Sequence, residues 1–214
     1  MKNYHFQPSD IIVFPIIDWH YRFQRPQQIS TRLALHGHRV FYLRTYFLEG
    51  TSPTVQPLRK DIPVFDVQFR LLVPKSIVAD QLDETAKQTL LEQISVLRED
   101  FKISKAICFV NLPFWGPLAL ELQKAYGWKI IYDSLDHLGG FSNITSYMLE
   151  PEMELIQESD LVLTTSHLLF NEKSRLNANC MLVPNATDFD HFNYSPEHLP
   201  DELTNIGKPV IGYY

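Results

Sequence analysis

Short apolar runs alternate with amphipathic segments along most of this chain, and this alternation restricts the fold more than any other feature. Each run has the length of one strand, and most are followed by a segment with apolar residues at helical spacing. The runs cover residues 10–14, 39–44, 105–110, 129–134, 160–165 and 180–184. Strands that are apolar throughout are typical of parallel sheets covered on both faces, so the sequence predicts an α/β fold with a parallel sheet flanked by helices.

Helix-start and helix-end signals frame the segments between these runs. The predicted helices cover residues 25–37, 77–99, 116–127, 150–159 and 166–176. Pro26 suits the first turn of the first helix, and Gly37 and Gly127 stand where a glycine commonly ends a helix. Ser166 is a candidate N-cap. Residues 45–62 hold two prolines and little periodicity, so we predict a loop there.

The segment PIIDWHYRFQRPQQIS, residues 15–30, joins the first strand to the first helix and contains no glycine. Dinucleotide-binding folds place a glycine-rich phosphate loop at this point. The segment carries Asp18, His20, Arg22 and Arg25 instead. Arginine forks bind phosphate or carboxylate, and Arg25 lies at a helix start, where free backbone N–H groups favour anions. The alternative is that one arginine pairs with Asp18 and the other stands in solvent.

A second polar cluster, Asp133, Asp136 and His137, follows the run at 129–134. The carboxyl ends of parallel strands share one edge of the sheet, where α/β folds bind ligands. A histidine beside carboxylates can act as a base or orient a hydroxyl group. The same residue types also suit an ordinary turn. A metal site is the weaker alternative, because no third region completes a ligand shell. Asn185, after the last run, is a further candidate at this edge.

Composition excludes several classes of protein. The 214 residues carry a net charge of −6 and no long basic run, which disfavours binding to nucleic acid. Cys108 and Cys180 form neither a disulfide framework nor a metal spacing, and Cys108 is predicted to be a buried small hydrophobe. No apolar run reaches the length of a membrane span, and the N-terminus has no signal core. We therefore expect a cytoplasmic protein, with peripheral contact to the inner face of the membrane as an alternative.

Four motifs resemble GT-B glycosyltransferases of the family-4 (group 1) type. DLVLTTSHLLFNEKSRLNANCMLVPNATDFDHF is similar to a strand–helix–strand passage that ends in an IPNGVD turn, with Ala186 and Thr187 in place of Gly and Val. RFQRPQQISTRLALHGHRVFYL is similar to a subgroup in which RFQRPQ precedes the first helix. IIYDSLDHLGGF resembles that subgroup's YD…D…F segment, and KPVIGYY resembles the opening strand of the second GT-B domain.

The resemblance implies the Rossmann-like N-terminal half of a GT-B enzyme, which binds the acceptor, over residues 1–184. It further implies an interdomain connection over 185–208 and the start of a truncated second domain at 209–214. The expected reaction is transfer of a hexose from a nucleotide-sugar to a saccharide or lipid-linked acceptor, in surface polysaccharide assembly and without a metal or other cofactor. The missing half would hold the donor, so these residues alone are expected to be inactive.

The same resemblance implies roles for the polar clusters. The expected substrate-binding residues are Asp18, His20, Arg22, Arg25, Asp133 and Asn185. Among them, His20, Arg22 and Arg25 are expected to face the donor diphosphate or an anionic acceptor. His137 matches the histidine that many family members place near the transferred sugar, and Asp136 is the other catalytic candidate. Two alternatives remain, a non-catalytic carbohydrate- or nucleotide-binding module and a partner domain whose cleft is buried against another chain.

Overall fold

The computed structural model describes residues 8–140, 148–193, 198, 201–204 and 206. The chain divides into two units, residues 1–184 and residues 185–214. The strands of the first unit are β1 Asp10–Phe14, β2 Arg39–Leu43, β3 Leu48–Glu49, β4 Thr54–Pro57, β5 Val64–Gln68, β6 Arg70–Leu71, β7 Ala106–Val110, β8 Lys129–Ser134, β9 Leu161–Thr164 and β10 Cys180–Leu182. Its helices are α1 Arg25–Leu35, α2 Glu84–Asp100, α3 Gly116–Tyr126, α4 Leu149–Glu158 and α5 His167–Lys173.

The main sheet has eight strands in the order β10-β9-β8-β7-β1-β2-β5-β4. Neighbouring strands are parallel except at the β4–β5 edge, where the pairing is antiparallel. The chain leaves β1 toward β2 on one side and later returns to β7 on the other. The strand order therefore reverses between β1 and β7, the position at which open α/β sheets form a ligand-binding crevice. The predicted α/β fold with a mostly parallel sheet is confirmed.

Alternate side chains of the strands enter two apolar layers. Ile12 and Cys108 face a layer that includes Leu90 of α2, whereas Ile11 and Val13 face the layer covered by α1. Both layers exclude water, and the Cys108 side chain has no exposed surface, as predicted. Burial of apolar surface on both faces is the main favourable free energy that holds a sheet of this kind.

Two sequence predictions are wrong in part. The predicted loop over residues 45–62 contains β3 and β4, and β4 tolerates Pro57 because it is an edge strand. The helix predicted over 77–99 begins only at Glu84, where the Asp83 side chain accepts a hydrogen bond from the Ala86 N–H at 2.9 Å. Ile77 and Leu82 are buried but not helical. Their apolar side chains continue the helical spacing toward the N-terminus, so the sequence predicted a helix start that is too early.

The second unit contains two short helices in its described residues, α6 Phe189–Phe192 and α7 Asp201–Thr204. The strand predicted at 209–214 lies outside the described residues, and the boundaries of the connection and of the second domain stay predictions. Within the described ranges, no helix is both long and apolar enough to cross a bilayer.

Gly127 ends α3 with a φ of 65°, in the left-handed region, and an added Cβ would meet nothing within 4 Å. We predict that Gly127→Ala lowers the free energy of unfolding by about 1–2 kcal/mol, through backbone conformation alone. Gly127→Asn should lose less, because asparagine enters this region more readily. Urea unfolding of both variants measures the difference, and equal losses would contradict this explanation.

Candidate functional site

An open cleft of about 530 Å³ lies at the carboxyl edge of the sheet. Its walls come from the β1–α1 loop, the segment after β2 and the loop after β8. Residues that line it include Ile17, Asp18, Tyr21, Thr45, Leu135 and Asp136. The volume is typical of small-molecule sites, and the cleft adjoins the point where the strand order reverses.

A bidentate ion pair joins the start of α1 to β8 at the same edge. Arg25 Nη2 donates to Asp133 Oδ1 at 2.8 Å, and Arg25 Nε donates to Asp133 Oδ2 at 3.0 Å. Asn111, directly after β7, donates from Nδ2 to the same Oδ2 at 3.3 Å. Arg25 Nη1 also donates to the Pro184 carbonyl at 3.3 Å. One guanidinium thus connects α1, β8 and the segment after β10.

Burial governs the electrostatics of this pair. The Asp133 side chain has no exposed surface, and 12% of the Arg25 side chain is exposed. Burial raises the pKa of Asp133 above its usual range, although the hydrogen bonds and charge of Arg25 act in the opposite direction. The folded state therefore binds the carboxyl proton of Asp133 more tightly than the unfolded state does. As the pH rises from the usual pKa of an aspartate to this raised pKa, the folded state loses stability relative to the unfolded state. Arg25 offsets this cost.

The ion pair changes the interpretation of the first polar cluster. The sequence left open a pairing of one arginine with Asp18, and the structure pairs Arg25 with Asp133 instead. Because its carboxylate is covered and bonded, Asp133 acts here as the counter-ion of Arg25. Contact of Arg25 or Asp133 with a substrate remains a prediction.

The glycine-free loop after β1 is held by one amide. Gln27, fully buried in the first turn of α1, donates from Nε2 to the carbonyls of Asp18 at 3.1 Å and Arg22 at 2.6 Å. Its Oε1 accepts the backbone N–H of Gln24 at 3.1 Å, as in a capping box. Trp19 packs against the Tyr42 ring, with 5.1 Å between the ring centroids. These contacts fix the loop backbone without glycine.

The polar side chains of this loop divide between the cleft and solvent. Asp18 Oδ1 accepts the backbone N–H of His20 at 3.1 Å, and the residue lines the cleft. His20 and Arg22 are exposed. The Arg22 guanidinium lies 5.2 Å from the centroid of the Tyr21 ring, a cation–π distance. Tyr21 is 68% exposed and lines the cleft, a position that sequence reasoning did not single out.

The predicted catalytic residues Asp136 and His137 are both exposed on the loop after β8. Asp136 lines the cleft. The His137 side chain is 53% exposed, and its Nε2 lies 3.7 Å from Glu172 Oε2 of α5. Asn185 belongs to the second unit and is exposed.

The weaker metal alternative of the sequence analysis does not fit the geometry, because Arg25 occupies the Asp133 carboxylate. In the part of the chain that the structure describes, no three His, Cys, Asp or Glu side chains are grouped so as to hold a metal ion.

Comparison with solved structures shows that the architecture matches that of GT-B glycosyltransferase domains. Sucrose-phosphate synthase from Thermosynechococcus elongatus aligns with a TM-score of 0.66 at 14% identity, over 86% of this chain and 49% of that protein. The E. coli trehalose-6-phosphate structure bound with UDP-2-fluoro glucose aligns with a TM-score of 0.54 at 12% identity, over 91% of this chain and 53% of that one. Os79 from O. sativa, in complex with UDP, aligns at 0.50 and 13% identity, over 81% of this chain and 50% of that one.

At these identities the likeness shows the fold, and this chain spans about half the length of each of the three proteins. No family model and no curated protein matches the sequence. The family-4 subgroup therefore stays a prediction.

We predict that Arg25→Met lowers the free energy of unfolding by about 3–5 kcal/mol, because it leaves the buried Asp133 carboxylate without a counter-charge. Asp133→Asn added to Arg25→Met should recover part of the loss, since an amide carries no charge. Urea unfolding of both proteins measures the recovery. The control is Arg59→Met, which breaks an exposed ion pair with Asp61 and should change stability little. No recovery in the double variant would contradict the prediction.

Proposed function

We propose that this chain is the domain of a glycosyltransferase that binds the acceptor, in an enzyme that transfers a hexose from a nucleotide-sugar to a saccharide or lipid-linked acceptor. The observation that carries the proposal is the cleft at the strand-order reversal, in a fold shared with GT-B domains. The order of the four sequence motifs supports the same proposal. A role in surface polysaccharide assembly and a cytoplasmic location belong to it and rest on the sequence resemblance.

The donor is proposed to be bound mainly by a second domain. Two of the similar structures, of which this chain covers 50% and 53%, were solved with UDP or a UDP-sugar. In the reaction, an acceptor hydroxyl replaces the nucleoside diphosphate at the anomeric carbon. Positive charge placed near the departing diphosphate stabilises the transition state. His20 and Arg22, exposed on the β1–α1 loop, are the side chains we assign to that contact.

Asp136 is the side chain we assign to the reacting sugar, because the residue lines the cleft and is exposed. There it can accept a hydrogen bond or a proton from a hydroxyl group. His137 is the second candidate, although it faces Glu172 of α5. Arg25 contributes as a positioning residue, since its pairing with Asp133 fixes the start of α1 beside the cleft.

We predict that Asp136→Asn in the complete natural protein lowers turnover about 100-fold or more, the usual contribution of acid–base catalysis. Release of nucleoside diphosphate is measured with a panel of nucleotide-sugars and saccharide acceptors. The control is His36→Ala, because His36 lies at the far end of α1, about 16 Å along the helix from Arg25.

The outcome separates the proposal from its alternatives. Acceptor-dependent release that fails in Asp136→Asn and persists in His36→Ala supports the transferase and the role of Asp136. Release that Asp136→Asn leaves unchanged overturns the role of Asp136. Saccharide binding with no release from any donor favours the non-catalytic binding module.

A further inference from the structure

We infer that the cleft binds a neutral, hydroxyl-rich sugar, stacked on Tyr21 and hydrogen-bonded to Asp18 and Asp136, and that it disfavours anionic acceptors. The inference deepens the proposed function, on which it rests for the identity of this sugar as the acceptor. It also departs from one part of the sequence expectation, the part in which the polar residues after β1 face an anionic acceptor.

The charge of the cleft is the first argument. Two carboxylates, Asp18 and Asp136, are among its described lining residues, and none of those residues is Arg, Lys or His. The other polar lining residues, Tyr21, Gln24 and Thr45, are neutral. A carboxylate or phosphate brought into this space would be repelled by both acids. Hydroxyl groups, by contrast, donate to them.

The arginines that border this edge are bonded elsewhere. Arg25 forks onto Asp133, and Arg44, directly after β2, donates from Nε to both oxygens of the Asp66 carboxylate at 2.9 Å and 3.0 Å. Asp66 and Asp133 are both buried, so releasing either arginine would leave a buried charge unpaired. Arg22 lies over Tyr21 and is exposed. Arg25 and Arg44 thus do not offset the two carboxylates of the cleft.

Tyr21 supplies an aromatic surface for a sugar. An exposed ring on a rigid loop loses little conformational freedom on binding, and it offers an apolar face with a polar hydroxyl tip. Tyr21 is 68% exposed, although the loop around it is fixed by Gln27 and Trp19. The C–H face of a pyranose is apolar and matches such a ring, whereas its edge carries the hydroxyl groups.

Asp18 has an unused acceptor. Its Oδ1 accepts the His20 N–H, but its Oδ2 is shielded from solvent and has no hydrogen-bond partner in the described part of the chain. A shielded carboxylate oxygen without a donor is costly. A sugar hydroxyl supplies that donor when the Asp18 side chain turns Oδ2 toward the cleft on binding. The exposed Tyr21 ring, the carboxylate acceptors and the negative charge of the cleft therefore all favour a neutral, hydroxyl-rich sugar.

The experiment is ligand-detected saturation-transfer NMR on the complete natural protein at low salt. The neutral probes are the methyl glycosides of glucose, galactose, mannose and N-acetylglucosamine. The anionic probes are the methyl glycosides of glucuronic, galacturonic and mannuronic acid, each with a free carboxylate and called a uronide below. We predict that at least one neutral hexoside binds about fivefold more tightly than its uronide. Tyr21→Ala should weaken this binding about tenfold, and Tyr21→Phe should retain it.

Two controls separate this site from a general structural effect. Tyr21→Ala should leave the urea midpoint unchanged, because the ring is mostly exposed. Asp136→Asn should improve binding of the uronide relative to the neutral glycoside, since it removes one negative charge from the cleft. A purely structural role would produce no such change in preference.

The inference is overturned if no neutral hexoside binds, if Tyr21→Ala leaves binding unchanged, or if the uronide is preferred. These results are distinguishable from failure of the proposed function. Neutral glycosides that bind at Tyr21 without any transfer overturn the transferase alone. Transfer to an anionic acceptor supports the transferase and overturns the inference.

Discussion

The buried ion pair of Arg25 and Asp133 is the interaction on which the carboxyl edge of the sheet depends. Removing two charges from water costs several kcal/mol each, and only close, well-oriented contacts offset that cost. Here the guanidinium meets the carboxylate with two nitrogens, while Asn111 donates to the same carboxylate. Because Arg25 lies at the start of α1 and Asp133 lies on β8, the pair fixes the β1–α1 wall of the cleft relative to the wall formed by the loop after β8.

The order of the strands explains why such a pair is needed. The chain connects β1 to β2 on one side and reaches β7 on the other, which leaves a crevice at the carboxyl ends of these strands. Backbone groups in the loops at this crevice have no neighbouring strand to bond with. Side chains must therefore hold the loops in place. Arg25 does this with charge, Gln27 with a neutral amide, and Trp19 with its packing against Tyr42. The loops are ordered by contacts that leave the cleft itself open.

The central strands and several helix ends could be predicted from the sequence because their signals are local. Ser166 caps α5, and Gly127 closes α3, each at the predicted residue. The pairing of Arg25 with Asp133 could not be predicted, since 108 residues separate the two and Asp18 is a nearer acid. Gln27 was missed although Gln24 and Gln27 have capping-box spacing. Which loop side chains face the cleft depends on the tertiary fold.

The amide of Gln27 has a consequence for how this surface can diversify. In a glycine-rich loop the backbone itself contacts the ligand, so most substitutions alter the contact. Here the buried Gln27 side chain holds the loop backbone by hydrogen bonds, and residues 20–23 are exposed. Substitutions at those positions change the exposed side chains without changing the conformation of the loop backbone. The loop thereby resembles a binding loop on a rigid scaffold, in which the exposed side chains can change while the fold stays constant.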